Sequence, residues 1–473
     1  MKKYSILKRM ILIGALVSGL VIALSFFGTT NSPVNESVTT EETTLSPEEE
    51  ANALKESIIP IATLKDVLET LTSERYEGRF PGTEGNLAAA QLIRDKMVLS
   101  ELIAPSFTED FYMSFEMRVP SKKSKTTMKL TNGENQIEFS FGEDFVEYVG
   151  RDFAKGVGTY EGEFVIIDNS LELYNFESLG YPEIVVYTEK AIADSSYETL
   201  FAGILATKVP PKVVLYENSQ QNSGHFIISP SSRMVSQNDN ENGLLIYKIS
   251  PNTAEILKQK SDGILSMSTN VIIEQIEVPN VIGMIDGTGD EGFIVSAHFD
   301  HLGNNFDGSY NPGALDNASG VAVMLSLANA INVAADPTLD FYFIAFNGEE
   351  EGLYGSEAFA MSDALEPSKI KVINIDMVGA SQAIPVEVSS TAIQSIPLQD
   401  AMLSFALESE IEALSSSKGS SDHVPLESVG FQVVSLTEFD QRFYHTPSDT
   451  VENSIDFIEM QNIATFIYNF VFE

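Results

Sequence analysis

The second half of the chain alternates short apolar runs with longer amphipathic segments. The apolar runs lie at residues 293–297, 341–346, 372–375 and 433–436, and apolar residues at helical spacing mark segments such as 319–331 between them. Short continuous apolar runs are typical of strands buried on both faces, and their alternation with helices predicts a mostly parallel central sheet flanked by helices. Such sheets bind ligands beyond the carboxyl ends of their strands. We therefore expect an α/β fold whose functional residues follow these runs.

The segment from residue 111 to residue 277 has a different pattern. Its β-type runs, for example 164–167, 184–187, 213–215 and 244–247, are separated by clusters of turn residues such as 220–224 and 236–243. We predict an inserted β-rich domain over residues 111–277. Residues 57–110 and 278–473 would then belong to one domain on either side of this insert.

The N-terminus carries an export pattern. The basic residues Lys2, Lys3, Lys8 and Arg9 precede an uncharged, apolar run over residues 10–27. Such a flank keeps the N-terminus in the cytoplasm and sends the following chain across the membrane. We predict that residues 1–30 are a signal peptide or a membrane anchor and that the remainder is extracytoplasmic. Residues 31–56, rich in Asn, Ser, Thr, Pro and Glu, are predicted to be a disordered acidic linker.

Composition narrows the possible chemistry. The 473 residues include no cysteine and five histidines, so a metal must be held by His, Asp and Glu side chains. The lack of cysteine excludes disulfides, thiolate zinc sites, iron–sulfur clusters and a cysteine nucleophile. The net charge is −40, from 28 Lys and Arg against 68 Asp and Glu. Because so acidic a surface repels phosphate backbones, we expect no nucleic-acid partner.

Histidines and carboxylates follow the predicted strand ends. They are His298 and Asp300 after the first run, Asp316 before the helix at 319–331, Glu349 and Glu350 after the second, Asp376 after the third, and His445 beyond the fourth. Each has a simpler explanation alone: Asp316 could cap a helix, and the three consecutive glutamates could be a solvated turn. Together, two histidines and three carboxylates are typical of a dinuclear site for a hard or borderline cation. The pair Glu349 and Glu350 would let one carboxylate bind metal while the other handles a proton.

These five motifs, in this order, resemble the co-catalytic zinc exopeptidases that include bacterial leucyl aminopeptidases and glutamate carboxypeptidase. The resemblance covers residues 280–472, and residues 77–97, with the sequence Gly-Arg-Phe-Pro-Gly-Thr-Glu-Gly-Asn, are similar to that family's opening segment. It implies a zinc aminopeptidase-like fold in which residues 57–110 and 278–473 form the catalytic domain. The insert stands where many relatives carry a protease-associated domain.

The resemblance also implies two zinc ions per chain. The implied ligands are His298, Asp316 and Asp376 for one zinc and Asp316, Glu350 and His445 for the other, with Asp316 bridging. Glu349 would be the general base, and Asp300 would orient the His298 ring. The implied activity is the removal of N-terminal residues from peptides, which are the expected partners.

Other activities are compatible with the same fold. A catalytically silent, receptor-like ectodomain and a glutaminyl cyclase are two alternatives. A carboxypeptidase is a third, and it would need a basic group such as Arg442 for the substrate carboxylate. We interpret His301 as a loop residue and His225 as a surface residue. His423, in the sequence Ser-Asp-His, is either a substrate-side residue or a structural one.

Overall fold

The computed structural model describes residues 46–148, 153–222, 224–226, 243–334 and 338–472. The predicted signal or anchor at residues 1–30 and most of the predicted linker lie outside these residues. From Ala51 onward the described residues form one compact unit.

The strands are β1 (Tyr112–Lys122), β2 (Thr127–Asn132), β3 (Asn135–Glu138), β4 (Phe145–Tyr148), β5 (Val157–Gly162), β6 (Phe164–Ile167), β7 (Ile184–Tyr187), β8 (Val213–Glu217), β9 (Gln221–Asn222), β10 (His225–Phe226), β11 (Leu245–Ile249), β12 (Ile264–Ile285), β13 (Gly292–His298), β14 (Asp340–Phe346), β15 (Ile370–Ile375), β16 (Val386–Ser389), β17 (Ala413–Ser416) and β18 (Gln432–Thr437). The helices are α1 (Pro47–Ile58), α2 (Ile61–Leu71), α3 (Glu84–Leu99), α4 (Glu189–Ile192), α5 (Tyr197–Leu205), α6 (Pro251–Gln259), α7 (Gly320–Ala334), α8 (Tyr354–Ala360), α9 (Ile396–Glu408), α10 (His423–Ser428), α11 (Val451–Ser454) and α12 (Phe457–Val471).

A mixed sheet carries the second half of the chain. Its strands follow the order β17–β16–β18–β15–β13–β14–β12. The central strands β18, β15, β13 and β14 run parallel to one another, whereas β12 and β16 pair antiparallel with β14 and β18. The expected α/β fold with a mostly parallel central sheet is confirmed.

Neighbouring residues of the central strands pack on opposite faces of this sheet, because side chains alternate along a strand. Val295 and Val434 join a cluster with α2, α3, α7 and α12. Ile294 and Val433 join a second cluster with residues of α8 and α10. Burial on both faces explains why the strands read as continuous apolar runs. One helical run in the described part, Ala314–Ala334, is long and apolar enough to cross a membrane, and 78% of its most apolar window is buried inside the fold.

The predicted insert contains a second sheet with the order β4–β11–β8–β7–β6, of which the last four strands are parallel. Strand β12 runs through both parts of the chain. Its beginning pairs with β2 and β5, its middle with β1, and its end with β14 of the central sheet. The predicted boundary at residue 277 therefore lies inside a continuous strand.

The acidic segment that precedes residue 57 becomes helical earlier than its composition indicates. A linker was expected up to residue 56, but α1 begins at Pro47. Ser46 Oγ accepts the Glu49 N–H at 3.3 Å, and the Glu49 carboxylate accepts the Ser46 N–H at 2.7 Å. This reciprocal pair is a capping box, and proline favours the first helical position. Farther along, Glu56 accepts a hydrogen bond from Gln461 of α12 at 2.8 Å, so this end of the expected linker packs on the fold.

Candidate metal centre

The predicted site residues meet at the carboxyl end of the parallel strands. His298 ends β13, Glu349 and Glu350 follow β14, Asp376 follows β15, His445 lies in the loop after β18, and Asp316 lies in the turn before α7. Because these four strands are parallel, their carboxyl ends share one edge of the sheet. Residues that are far apart in the sequence are thereby brought into one cluster.

His298 and two aspartates form the first set of ligand atoms. The His298 Nε2 atom lies 3.4 Å from Asp316 Oδ1 and 3.4 Å from Asp376 Oδ1. Zinc holds nitrogen and oxygen ligands at about 2.0–2.2 Å in tetrahedral geometry, so two ligands of one ion lie roughly 3.3 Å apart. These three atoms therefore fit around a single zinc ion.

His445 and two carboxylates form the second set. The His445 Nε2 atom lies 3.2 Å from Asp316 Oδ2 and 3.0 Å from Glu350 Oε2. Asp316 thus places one oxygen near each histidine, which is the arrangement that a bridging carboxylate requires. His445 and Glu350 are buried, so few water molecules compete for these atoms.

Burial and charge shift the pKa values of the cluster. Burial opposes the charged form of His445, but Glu350 and Asp316 outweigh it and raise the pKa to about 10. Burial likewise opposes the charge on His298, yet Glu349 and other acids hold its pKa well above the usual range. Burial raises the pKa of Glu349 well above its usual range. Burial also opposes the charged form of Glu350, but His445 and His301 together outweigh it and hold the pKa of Glu350 well below its usual range. Metal binding at such a cluster releases protons.

Asp300 supports the backbone of the glutamate pair. Its two oxygens accept the N–H groups of Glu349 and Glu350 at 3.1 and 3.2 Å. Its Oδ1 atom lies 3.8 Å from His298 Nδ1, which is beyond hydrogen-bonding distance. Nδ1 of His298 has no hydrogen-bond partner among the described residues. The expected bond from His298 to Asp300 is therefore not formed, because the carboxylate turns to the backbone amides instead.

Two further buried side chains, neither of them expected from the sequence, hold the Asp316 turn. Asp449 accepts the backbone N–H of Asp316 at 3.1 Å. Asn317 donates to the Ile375 carbonyl at 2.9 Å and accepts the Met377 N–H at 3.0 Å, which ties the turn to the end of β15. The only sequence signal for Asp449 is its position four residues after His445.

Arg79 connects the loops that carry the site, although its sequence pattern indicates only a turn-rich loop. Its side chain is fully buried. Its guanidinium donates to the carbonyl oxygens of Phe299 and Pro312 at 2.7 Å, and to those of Leu71 and Gly313 at 2.9 Å. Burial lowers the pKa of Arg79 to about 10, so the group remains charged at neutral pH.

The remaining histidines differ in their relation to the cluster. His301, expected to be a loop residue, is fully buried, and its Nδ1 lies 2.6 Å from Glu350 Oε1. His423 is also buried, and neither ring nitrogen has a hydrogen-bond partner in the part of the chain that is described. Burial lowers the pKa of His423. His225 lies in β10, with 23% of its side chain exposed.

Comparisons with known proteins connect this geometry to a family. Residues 280–471 match the model of peptidase family M28. The aminopeptidase YwaD of Bacillus subtilis (strain 168) is 29% identical over 266 residues, which cover 51% of this chain and 52% of that protein. A vacuolar membrane protease of Candida glabrata is 24% identical over 239 residues, which cover 48% of this chain and 24% of that protein. The chain thus spans about half or less of these curated relatives.

The fold agrees with a solved relative. BSAP, a zinc aminopeptidase from Bacillus subtilis, superimposes with a TM-score of 0.62 at 19% identity, over 87% of this chain and 94% of that chain. The segment that matches the family model contains both sets of ligand atoms and the residues Asp300 and Glu349. Residues 280–471 of this chain are therefore similar to peptidase family M28.

Proposed function

We propose that the chain is an exported zinc aminopeptidase that removes N-terminal residues from peptides. Its two zinc ions would be bound by His298, Asp316 and Asp376 and by Asp316, Glu350 and His445. The observation that carries the proposal is the position of Asp316, whose two oxygens lie 3.4 and 3.2 Å from two different histidines. The family match and the likeness to BSAP support zinc as the metal.

Glu349 is the proposed general base. It is partly exposed, whereas Glu350 beside it is buried. Zinc, when bound, lowers the pKa of a water molecule to about 7 and polarises a substrate carbonyl. Glu349 then takes a proton from the attacking water and gives it to the leaving amine.

The contacts of Arg442 argue against recognition of a substrate carboxyl terminus. Arg442 is the basic residue that a carboxypeptidase would need, but its Nε lies 3.0 and 2.9 Å from the two carboxylate oxygens of Asp440. Its Nη2 also donates to Ser381 Oγ at 2.9 Å. The charge of Arg442 is therefore compensated by Asp440, which weakens the carboxypeptidase alternative.

Export is proposed from the N-terminal segment, which lies outside the described residues. Its basic residues and following apolar run are typical of a signal peptide or an anchor. The similarity to a vacuolar membrane protease supports an association with a membrane. The peptide substrates would then lie on the outer side of that membrane.

The test replaces Glu349 and Glu350 by glutamine, one at a time, in the full chain. Glu349→Gln keeps the side-chain shape but cannot accept a proton. We expect turnover of an aminoacyl substrate to fall by ~10²–10⁴-fold while zinc content stays at the wild-type level. Glu350→Gln replaces an anionic ligand by a neutral amide, so it should lose zinc from one site and activity with it. Zinc content and turnover are measured on the same samples.

Glu351→Gln is the matched control, because it lies in the same run and has no role in the proposed chemistry. It should keep both zinc and turnover, and N-blocked peptides should not be cleaved by any variant. Loss of zinc from Glu349→Gln with retention in Glu350→Gln would reverse the two roles. A wild-type chain that binds zinc but cleaves no peptide would instead support the silent ectodomain.

A further inference from the structure

The two oxygens of Glu350 contact two different histidines. Oε2 lies 3.0 Å from Nε2 of His445, and Oε1 lies 2.6 Å from Nδ1 of His301. Both histidines and the glutamate are buried. The carboxylate is therefore held from both sides, although the family resemblance gives a role to His445 and none to His301.

The distances separate a metal ligand from a hydrogen-bond donor. Two ligands of one tetrahedral zinc ion lie roughly 3.3 Å apart, and the His445–Glu350 distance of 3.0 Å is close to that spacing. The His301–Glu350 distance of 2.6 Å is too short for two ligands of one ion and matches a charge-assisted hydrogen bond. His301 does lie near enough to Asp316 and Glu350 to be a candidate ligand. The short distance between His301 and Glu350 favours a hydrogen-bond donor over a zinc ligand.

The His301 ring occupies a position shaped for it. A Cβ atom on Gly313 would lie 2.5 Å from the ring, so a side chain at that position would displace it. The His445 ring stands edge-on to it, with 5.8 Å between the ring centroids. Nε2 of His301 has no hydrogen-bond partner in the described ranges of the chain. The contact with Glu350 is thus the polar interaction that orients this ring.

We propose that His301 is a positioning residue that donates a hydrogen bond from Nδ1 to Glu350 Oε1 and leaves Oε2 as the single zinc-binding oxygen. This inference rests on the proposed two-zinc site. The bond fixes the carboxylate before the metal arrives, so less conformational freedom is lost on binding. Partners of this kind typically contribute 10–100-fold to metal affinity. His301 acts on the zinc shared by Glu350 and His445 and not on the zinc beside Asp376.

The test measures zinc binding to the full chain with a competing chelator, in the absence of any peptide. His301→Phe keeps a planar ring beside Gly313 and removes the donor, and His301→Ala removes the donor and the ring. Both should bind one zinc with the wild-type constant and the other about 10–100-fold more weakly. His301→Asn places an amide N–H near the position of Nδ1 and should restore the wild-type constants. His225→Phe is the control for replacing a histidine away from the site.

Each result supports or overturns the inference. Wild-type constants in His301→Phe or His301→Ala would overturn it, and so would an equal loss in His301→Asn, because the imidazole nitrogen would then be a ligand itself. A wild-type chain that binds only one zinc would overturn both this inference and the proposed two-zinc site. A wild-type chain that binds two zinc ions but cleaves no peptide would refute the proposed function alone. Thermal unfolding of the metal-free chains shows whether His301→Phe and His301→Ala fold. If one of these two variants does not fold, the zinc constants of the other decide the outcome.

Discussion

Replacement of Arg79 by methionine should destabilise the fold around the candidate metal centre. The methionine fills the space of the aliphatic stem but leaves four buried carbonyl oxygens without their donor. A buried hydrogen-bonding group without a partner costs about 1–3 kcal/mol. Because water and small backbone shifts satisfy some of these groups, we expect a total loss of roughly 3–6 kcal/mol, a large fraction of the stability of a typical domain.

The loss should extend to zinc binding, since Arg79 bonds to the loops of two ligands. Phe299 follows His298 directly, and Gly313 precedes Asp316 by three residues. Urea unfolding of the metal-free chain gives the stability, and chelator competition gives the zinc affinity. Arg79→Lys should lose somewhat less, because an ammonium group keeps the charge but cannot span all four carbonyls.

The control is Arg75→Met, which changes an exposed arginine in the preceding turn. It should alter stability by no more than about 0.5 kcal/mol. If Arg79→Met costs less than ~1 kcal/mol, the loops hold their positions without the guanidinium, and the reasoning from its four hydrogen bonds is wrong.

Three further predictions concern the bridge, a buried carboxyl group and the location of the chain. Asp316→Ala should lose both zinc ions, whereas Asp376→Ala should keep the zinc ion bound by Glu350 and His445. If metal analysis finds one zinc ion left in Asp316→Ala, Asp316 does not bridge the two ions. Burial raises the pKa of Glu438 from 4.5 to about 7. The folded chain therefore binds the proton of the Glu438 carboxyl group more tightly than the unfolded chain does. The free energy of unfolding should consequently fall as the pH rises from 4.5 to 7. Glu438→Gln should remove about 3 kcal/mol of this pH dependence, measured by urea unfolding across that range, and identical slopes in both proteins would refute the assignment. Protease added to intact cells should digest the folded region, and protection until lysis would refute export.

The sequence alone determined the central sheet and predicted the members of a candidate metal cluster. Burial on both faces produces continuous apolar runs, and these runs located β13, β14, β15 and β18 within a few residues. Because parallel strands place their carboxyl ends at one edge, His298, Glu350 and Asp376 could be assigned to one site from their positions after the runs. This inference uses only local patterns and one general rule of sheet architecture.

Only the tertiary structure decided which buried groups support that cluster. Arg79 bonds to carbonyl groups 220 and 234 residues away, and its partners are backbone atoms that exist at every position of the sequence. Asp300 accepts the backbone N–H of Glu349 and His301 contacts Glu350, whereas His298 lies beside Asp316 and Asp376. Strand β12 likewise continues across the predicted domain boundary because it pairs with β1, a strand more than 140 residues earlier. Periodicity reports whether a residue is buried, but the contacts between distant loops depend on how the elements pack, and local sequence does not record them.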